Sequence, residues 1–243
     1  VQTYGLVTRA EEGEPLGYFW GYETDGLFQN QTEVDNQPVS VNENGDIVKM
    51  LPDAQPGDVR FIDQNGDGIL DDNDKINLGN SNPVYYYGLT LFADWRGFDI
   101  SMFMQGAGGH QIANLSRRLD AGLTNLPTTV LNRWTGENTS NTEPRASIED
   151  PNKNYSRFSD RYVIDADYLR IKNLQLGYSF NNNLLSRLNI ENLKLYVAAQ
   201  NLYTFTDYPG VDVEFGSGTI NSGVDTGTYP QARTYTIGMN LSF

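Results

Sequence analysis

Apolar and polar residues alternate in several long runs of this chain. From Thr234 the apolar positions are Tyr235, Ile237, Met239, Leu241 and Phe243, while Thr234, Thr236, Gly238, Asn240 and Ser242 interleave. A period of two belongs to a strand whose faces see different surroundings. In "LKLYVAAQNLYTF" the apolar face is Leu193, Leu195, Val197, Ala199, Tyr203 and Phe205, with Asn201 out of pattern. "YYYGLTLFADW" places Tyr85, Tyr87, Leu89, Leu91, Ala93 and Trp95 on one face. After "RG", Phe98, Ile100, Met102 and Met104 answer it, which predicts a hairpin with a very short connection. "DYLRIKNLQLGYSF" alternates through Leu174, Leu176, Tyr178 and Phe180, but Arg170 and Lys172 continue the same face. Either a bulge shifts the phase there or the cations sit at headgroup level.

Strands are therefore expected near 85–94, 98–106, 167–180, 192–205 and 233–243, with a weaker candidate at 1–8. The joins between them alternate in length. Residues 9–84, 107–166 and 206–232 are long connections, and 95–97 and 181–191 are short ones. Transmembrane β-barrels segregate their loops in this way, with short periplasmic turns and long extracellular loops. With Phe243 at the periplasmic face, every long connection emerges outside. Tyr85, Tyr87, Trp95, Phe98, Tyr178, Phe180 and Tyr203 then fall where interfacial aromatic girdles belong.

Composition agrees with an all-β chain. Hydrophobic residues make up only 38%, mean hydropathy is −0.51, and 24 Gly accompany 15 Tyr and 11 Phe. No run of about 18 apolar residues offers a membrane-spanning helix, which leaves a barrel open because barrel strands alternate. A net charge of −14 with only 17 Lys and Arg argues against nucleic acid and favours cations as small partners. Without cysteine there is neither a disulfide framework nor thiolate chemistry.

The segments "GYFWGYETDGLFQNQTEVD", "PGDVRFIDQNGDGILDDND", "LGNSNPVYYYGLTLFADWRGFDISMFMQGAGG", "NRWTGENTS", "YLRIKNLQLGYSF", "LYVAAQNLYTFTDYPGVD" and "GTYPQARTYTIGMNLSF" follow one another in this order. Together they resemble the carboxy-terminal part of SusC-like (SusC/RagA-type) TonB-dependent outer-membrane transporters, over nearly the whole chain. The resemblance implies an antiparallel transmembrane β-barrel segment, about six carboxy-terminal strands of a plugged barrel of about 22. It further implies residence in the bacterial outer membrane, a SusD-like surface lipoprotein as lid, energy from the TonB system, and glycan or oligopeptide cargo. No plug pattern and no TonB box precede the strands, so the rest of the transporter chain is expected to supply the plug and the missing strands. Tyr235, Ile237, Met239, Leu241 and Phe243 resemble the strand signal that barrel-assembly machinery reads.

One stretch inside the first long connection carries candidate chemistry. "DQNGDGILDDND" sets Asp63, Asn65, Asp67, the carbonyl of Ile69, Asp71 and Asp74 at positions 1, 3, 5, 7, 9 and 12 of an EF-hand-type calcium loop, with Gly68 at the sharp turn. Asp74 replaces the usual Glu, a shorter reach. A structural Ca2+ is expected here, although "NGDG" is also a turn sequence in its own right.

Catalysis is not expected. The sole histidine, His110 in "GAGGHQI", has no second imidazole, and Glu137 with Glu143 or Asp165 with Asp167 are carboxylates in acidic loops. Trp134 in "NRWTGENTS" is expected to pack within its loop. The alternative reading of the chain is a soluble, calcium-stabilised β-domain that binds carbohydrate. The uncharged faces of Tyr235 to Phe243 weigh against it.

Overall fold

The computed structural model describes all residues except 1, 5–6, 117–126, 182–189 and 215–220. In chain order the first strands are β1 (Gln2–Tyr4), β2 (Thr8–Ala10), β3 (Tyr18–Tyr22), β4 (Thr24–Leu27), β5 (Val39–Val41), β6 (Ile47–Lys49), β7 (Val59–Phe61) and β8 (Lys75–Gly79). Then come β9 (Tyr85–Trp95), β10 (Phe98–Gly108), β11 (Gln111–Asn114), β12 (Val163–Asp165), β13 (Tyr168–Ser179), β14 (Asn192–Thr206), β15 (Val224–Asp225) and β16 (Thr234–Ser242). A single helical turn, α1 (Gln31–Asp35), starts at Asn30, whose side chain accepts the N–H of Glu33.

The chain divides into two compact units. One comprises Asn82–His110, Asp165–Phe215 and Thr228–Phe243. Its centre is a five-stranded antiparallel meander in the order β16-β14-β13-β10-β9. These are the five strands that alternation predicted, each within two residues of its expected bounds. The sixth candidate, 1–8, belongs elsewhere: Gln2–Tyr4 pairs with β2 in a different sheet. β9 and β10 run 11 residues each, long enough to cross a hydrocarbon layer as tilted strands. Trp95 pairs with Phe98 across Arg96 and Gly97, which take φ of 50° and 90°. Positive φ at both central residues is the hairpin turn whose twist matches the strands.

β13 contains the bulge. Ile171 pairs with Met104 and Asn173 with Phe103, so Lys172 has no partner on β10. On the other side, Ile171 pairs with Tyr203 and Asn173 with Gln200, which leaves Asn201 and Leu202 opposite Lys172. Asn201 absorbs the irregularity at φ 51°. This resolves both departures from alternation at once. The extra residue shifts the phase, so Arg170 leaves the apolar face that Leu174, Leu176 and Tyr178 occupy.

The second unit comprises Val1–Ser81, Gln111–Ile164 and Gly216–Gly227. The described parts of the long connections 9–84 and 107–166 thus hold a core of their own. Tyr22, Leu27, Phe28, Val34, Met50, Leu51, Val59 and Phe61 are buried together, and Trp134 packs against them. A smaller cluster joins Val7, Phe19, Ala113, Phe158 and Tyr162. The strands are short and lie in small sheets, β1-β2-β3-β8, β4-β7 and β5-β6. β11 and β15 form a parallel pair.

Buried polar groups fasten this unit. Asp58, fully buried, accepts from Arg145 Nε at 2.6 Å and from Asn154 Nδ2 at 2.9 Å. Asn154 Oδ1 accepts the N–H of Val59 at 2.8 Å, and Asn152 Nδ2 donates to the Val59 carbonyl at 3.0 Å. Two asparagine amides therefore complete the hydrogen bonding of β7 where no strand pairs with it.

Candidate functional site

The register of the five-stranded sheet sorts its side chains into two faces. Trp95, Phe98, Tyr178, Leu195 and Met239 form one row, and Ala93, Ile100, Leu176, Val197 and Ile237 form the next. Leu91, Met102, Leu174, Ala199 and Tyr235 form a third. Every member is apolar or aromatic. Much of this face is open: Trp95 is 67% exposed, Ile237 88% and Phe243 80%. A contiguous exposed surface of this kind marks contact with something apolar. Aromatic pairs lie at both ends, Phe98 with Tyr178 at 4.6 Å between ring centroids and Tyr203 with Phe205 at 4.7 Å. From Trp95 to Tyr85, β9 rises about 34 Å at ~3.4 Å per residue, and a tilt of about 45° projects this onto about 24 Å, close to the apolar band of a membrane barrel.

The opposite face is more polar. Asp94, Asp99, Gly177, Tyr196 and Gly238 align in one row, and Phe92, Ser101, Gln175, Ala198 and Thr236 in another. Here the structure reveals a cluster that periodicity missed. Arg170, 3% exposed, donates through Nη1 to Glu214 Oε2 at 2.6 Å and through Nη2 to Asp212. Lys172 Nζ also donates to Glu214, at 2.6 Å, and the Tyr168 hydroxyl to its other oxygen at 2.8 Å. The segment after β14 is thereby tied to β13. Burial pushes the Asp212 carboxyl up, but hydrogen bonds from the Glu214 and Gln231 N–H groups and from Arg170 outweigh it and hold it below its usual range. The signal in sequence was two cations inside a strand, with partners some 40 residues on.

In the acidic loop, Asp63, Asn65, Asp67, Asp71 and Asp74 all accept from backbone N–H groups. Asp63 takes Gly66 at 2.7 Å and Gly68 at 2.8 Å. Asn65 takes Asp67, and Asp67 takes Ile69. Asp71 caps the 3-10 turn Asp72–Asp74, and buried Asp74 accepts from Gln64 at 3.0 Å and Asp71 at 2.8 Å. Gly66 and Gly68 both have φ of 75°. Among the described residues no group of three or more His, Asp or Glu side chains is gathered for a metal ion. Each carboxylate oxygen retains a lone pair beyond the N–H it accepts, so the donor set keeps capacity for a hard cation.

His110 is buried, with Nδ1 4.0 Å from an Asp167 oxygen, and burial holds its pKa below the usual value against the raising effect of Asp167. Glu137 Oε1 accepts from Asn30 Nδ2 at 2.9 Å, and Glu143 is buried.

No protein-family model matches the chain. The chain is 33% identical over 240 residues, 96% of its length, to TonB-dependent receptor P3 of Formosa agariphila, and 27% identical over 194 residues, 78% of its length, to TonB-dependent receptor SusC of Bacteroides thetaiotaomicron. It spans 22% and 18% of those receptors, about a fifth of the length of each. The RagAB peptide importer in its open-open state shares the fold over 100% of this chain and 25% of that one, with a TM-score of 0.68 and 22% identity. A sheet apolar on one face and more polar on the other, with these relatives, defines part of an outer-membrane β-barrel of the TonB-dependent receptor class. Within that class the chain corresponds to the carboxy-terminal portion of a SusC-like receptor. These relatives are receptors and transporters, and neither they nor the open apolar face supports a soluble carbohydrate-binding domain.

Proposed function

We propose that the chain forms part of the wall and the outer loops of an outer-membrane nutrient importer, working by SusC-like, TonB-dependent active uptake of glycans or oligopeptides. The observation that carries this reading is the two-faced sheet, with three wholly apolar rows backed by more polar ones. β9 and β16 are its open edges. Unpaired strand edges are not tolerated in hydrocarbon, which supports closure by further strands of the same transporter into a plugged barrel of about 22. The long connections 9–84, 107–166 and 206–232 face outside, beneath a SusD-like lipoprotein lid. The TonB system acts from the periplasm on the part of the chain that holds the plug. Tyr235, Ile237, Met239, Leu241 and Phe243 form the strand that barrel assembly recognises. Ca2+ bound by Asp63, Asn65, Asp67, Ile69, Asp71 and Asp74 orders the first connection.

The test uses the full-length receptor. It is expected in the outer-membrane fraction as a heat-modifiable barrel, and uptake in its native host is expected to stop when TonB is removed. Uptake that persists without TonB, by a receptor correctly inserted, overturns the reading.

A further inference from the structure

At its Arg96-Gly97 end the apolar face of the five-stranded sheet holds a groove of about 600 Å³. Trp95, Phe98 and Tyr178 stand along its rim, and its bed includes Ala93, Ile100 and Val197 from the next row. The rim rings are held in place, since Phe98 and Tyr178 lie 4.6 Å apart between centroids. Ala93 is the smallest member of the bed row and leaves the space beside Trp95 unfilled. The lining is almost wholly apolar. Asp99, the carboxylate among the lining residues, belongs to the intervening row and is engaged by Lys194 at 2.8 Å.

One charge stands beside this groove. Arg96 takes the first position of the hairpin turn at φ 50° and sets its guanidinium 5.0 Å from the centroid of the Trp95 ring. Trp95 is a rim residue of the apolar face, so the cation is held at the groove's end. Among the described residues Arg96 has no ion-pair or side-chain hydrogen-bond partner. Its contact with the ring engages the charge and leaves the N–H fork free, and such a fork suits a phosphate. A single unbalanced cation next to a hydrocarbon groove matches an amphiphile, with charge for the head and apolar surface for the tail.

We infer that the groove binds one glycerophospholipid with an anionic headgroup, its phosphate on Arg96 and an acyl chain over Ala93, Ile100 and Val197. The inference rests on reading this sheet as barrel wall, where the apolar face meets lipid and water-soluble cargo does not reach. An anionic head fits because the lining offers no free carboxylate for the ammonium of a zwitterionic one. Lipid A carries phosphate too, but from the outer leaflet. The short Arg96-Gly97 turn lies at the periplasmic end in the barrel reading, and this selects the phospholipid.

The experiment is native mass spectrometry of the intact, delipidated receptor, titrated in mild detergent with phosphatidylglycerol, with phosphatidylcholine of the same acyl chains, and with lipid A. The first phosphatidylglycerol is expected to bind about fivefold more tightly than phosphatidylcholine. Arg96→Asn removes the charge with a residue that tolerates positive φ, and is expected to abolish this preference, while Arg96→Lys keeps most of it. Ala93→Phe, an apolar exchange that fills the groove, is expected to weaken the first lipid of either kind about tenfold. Four results overturn the inference: no preference for phosphatidylglycerol in the parent, an undiminished preference in Arg96→Asn, tighter binding of lipid A, or first-lipid binding unchanged by Ala93→Phe. A receptor dimer that Ala93→Phe dissolves without loss of lipid also overturns it, since a second copy then covers the face. Heat-modifiability and TonB-dependent uptake are read on the same proteins. A failed titration with an inserted, active barrel removes this site and leaves the transport reading standing.

Discussion

Lys194 on β14 reaches across β13 to bring its ammonium 2.8 Å from the Asp99 carboxylate on β10. The strand between them presents Gly177 at that level, opposite Asp99. A Cβ at Gly177 would stand 2.5 Å from Asp99 Oδ1 and 2.5 Å from Lys194 Cε, so the ion pair exists because the intervening side chain does not. Gly177→Val is expected to part the pair and strain the polar face by about 1–3 kcal/mol. Lys194→Met removes the same pair without crowding and costs at most about 1 kcal/mol. Heat-modifiable migration of the intact receptor is the measurement, and a lower transition for Val than for Met is the expected order. Equal transitions would show that the space over Gly177 matters less than the charge.

The loop-bearing unit should fail separately from the strands. Asn154 is fully buried and bonds Val59, Asp58 and Asn152. Asn154→Ala leaves the Val59 N–H and one Asp58 oxygen short of partners, at about 2–4 kcal/mol in sum. Rapid hydrogen exchange at residues 57–61, with unchanged protection in β10 and β13, is expected. Unchanged protection at 57–61 would mean that the amides are replaceable.

What could be read from the chain beforehand follows the range of the interactions. The five sheet strands were legible because a side chain's face is fixed by its own parity, and Arg96-Gly97 announced its turn locally. The phase break at Arg170 and Lys172 was visible, but its resolution as a bulge depends on Asn201 and Leu202 across the sheet, a pairing no local pattern contains. The core around Phe28, Val59 and Trp134 was hidden in what looked like connection. Its strands are three to five residues long, too short for alternation to register, and residues such as Asn154 and Asp58 that hold it are polar in sequence while buried in space.

Asp212 gives a pH prediction. Its folded pKa lies below the ordinary 3.8, so its contribution is complete above the unfolded value and is lost only as pH falls through the folded one. The segment after β14 should therefore resist proteolysis at pH 7 and still at pH 4.5. Asp212→Asn leaves buried Arg170 with Glu214 alone and should cost about 2–3 kcal/mol. Cleavage within 206–214 at both pH values is expected for that variant. Wild-type cleavage already at pH 4.5 would reverse the sign and refute the assignment.

The acidic loop supplies the sharpest prediction, because its own hydrogen bonds offer a competing explanation. Asp63, Asp67, Asp71, Asp72 and Asp74 place five carboxylates within twelve residues, and their mutual repulsion favours an open loop unless something offsets it. Backbone N–H groups at Gly66, Gly68 and Ile69 offset part of it. A cation drawn in by the remaining lone pairs offsets more, through oxygens at about 2.3–2.6 Å. The two accounts separate on substitution. Asp67→Asn keeps the oxygen that accepts the Ile69 N–H but removes a charge, whereas both oxygens of Asp63 accept an N–H and Asp63 is left in place. If backbone capping alone orders the loop, the Asp67→Asn variant should resist proteolysis at 55–80 as the parent does, with calcium or with chelator. If calcium orders it, the parent should be protected in millimolar calcium and cleaved in chelator, and the Asp67→Asn variant should need more calcium for the same protection. The sheet strands β9, β10, β13, β14 and β16 should remain protected throughout. The second pattern is expected, and identical cleavage of the folded parent in calcium and chelator would reduce the loop to a self-capped turn.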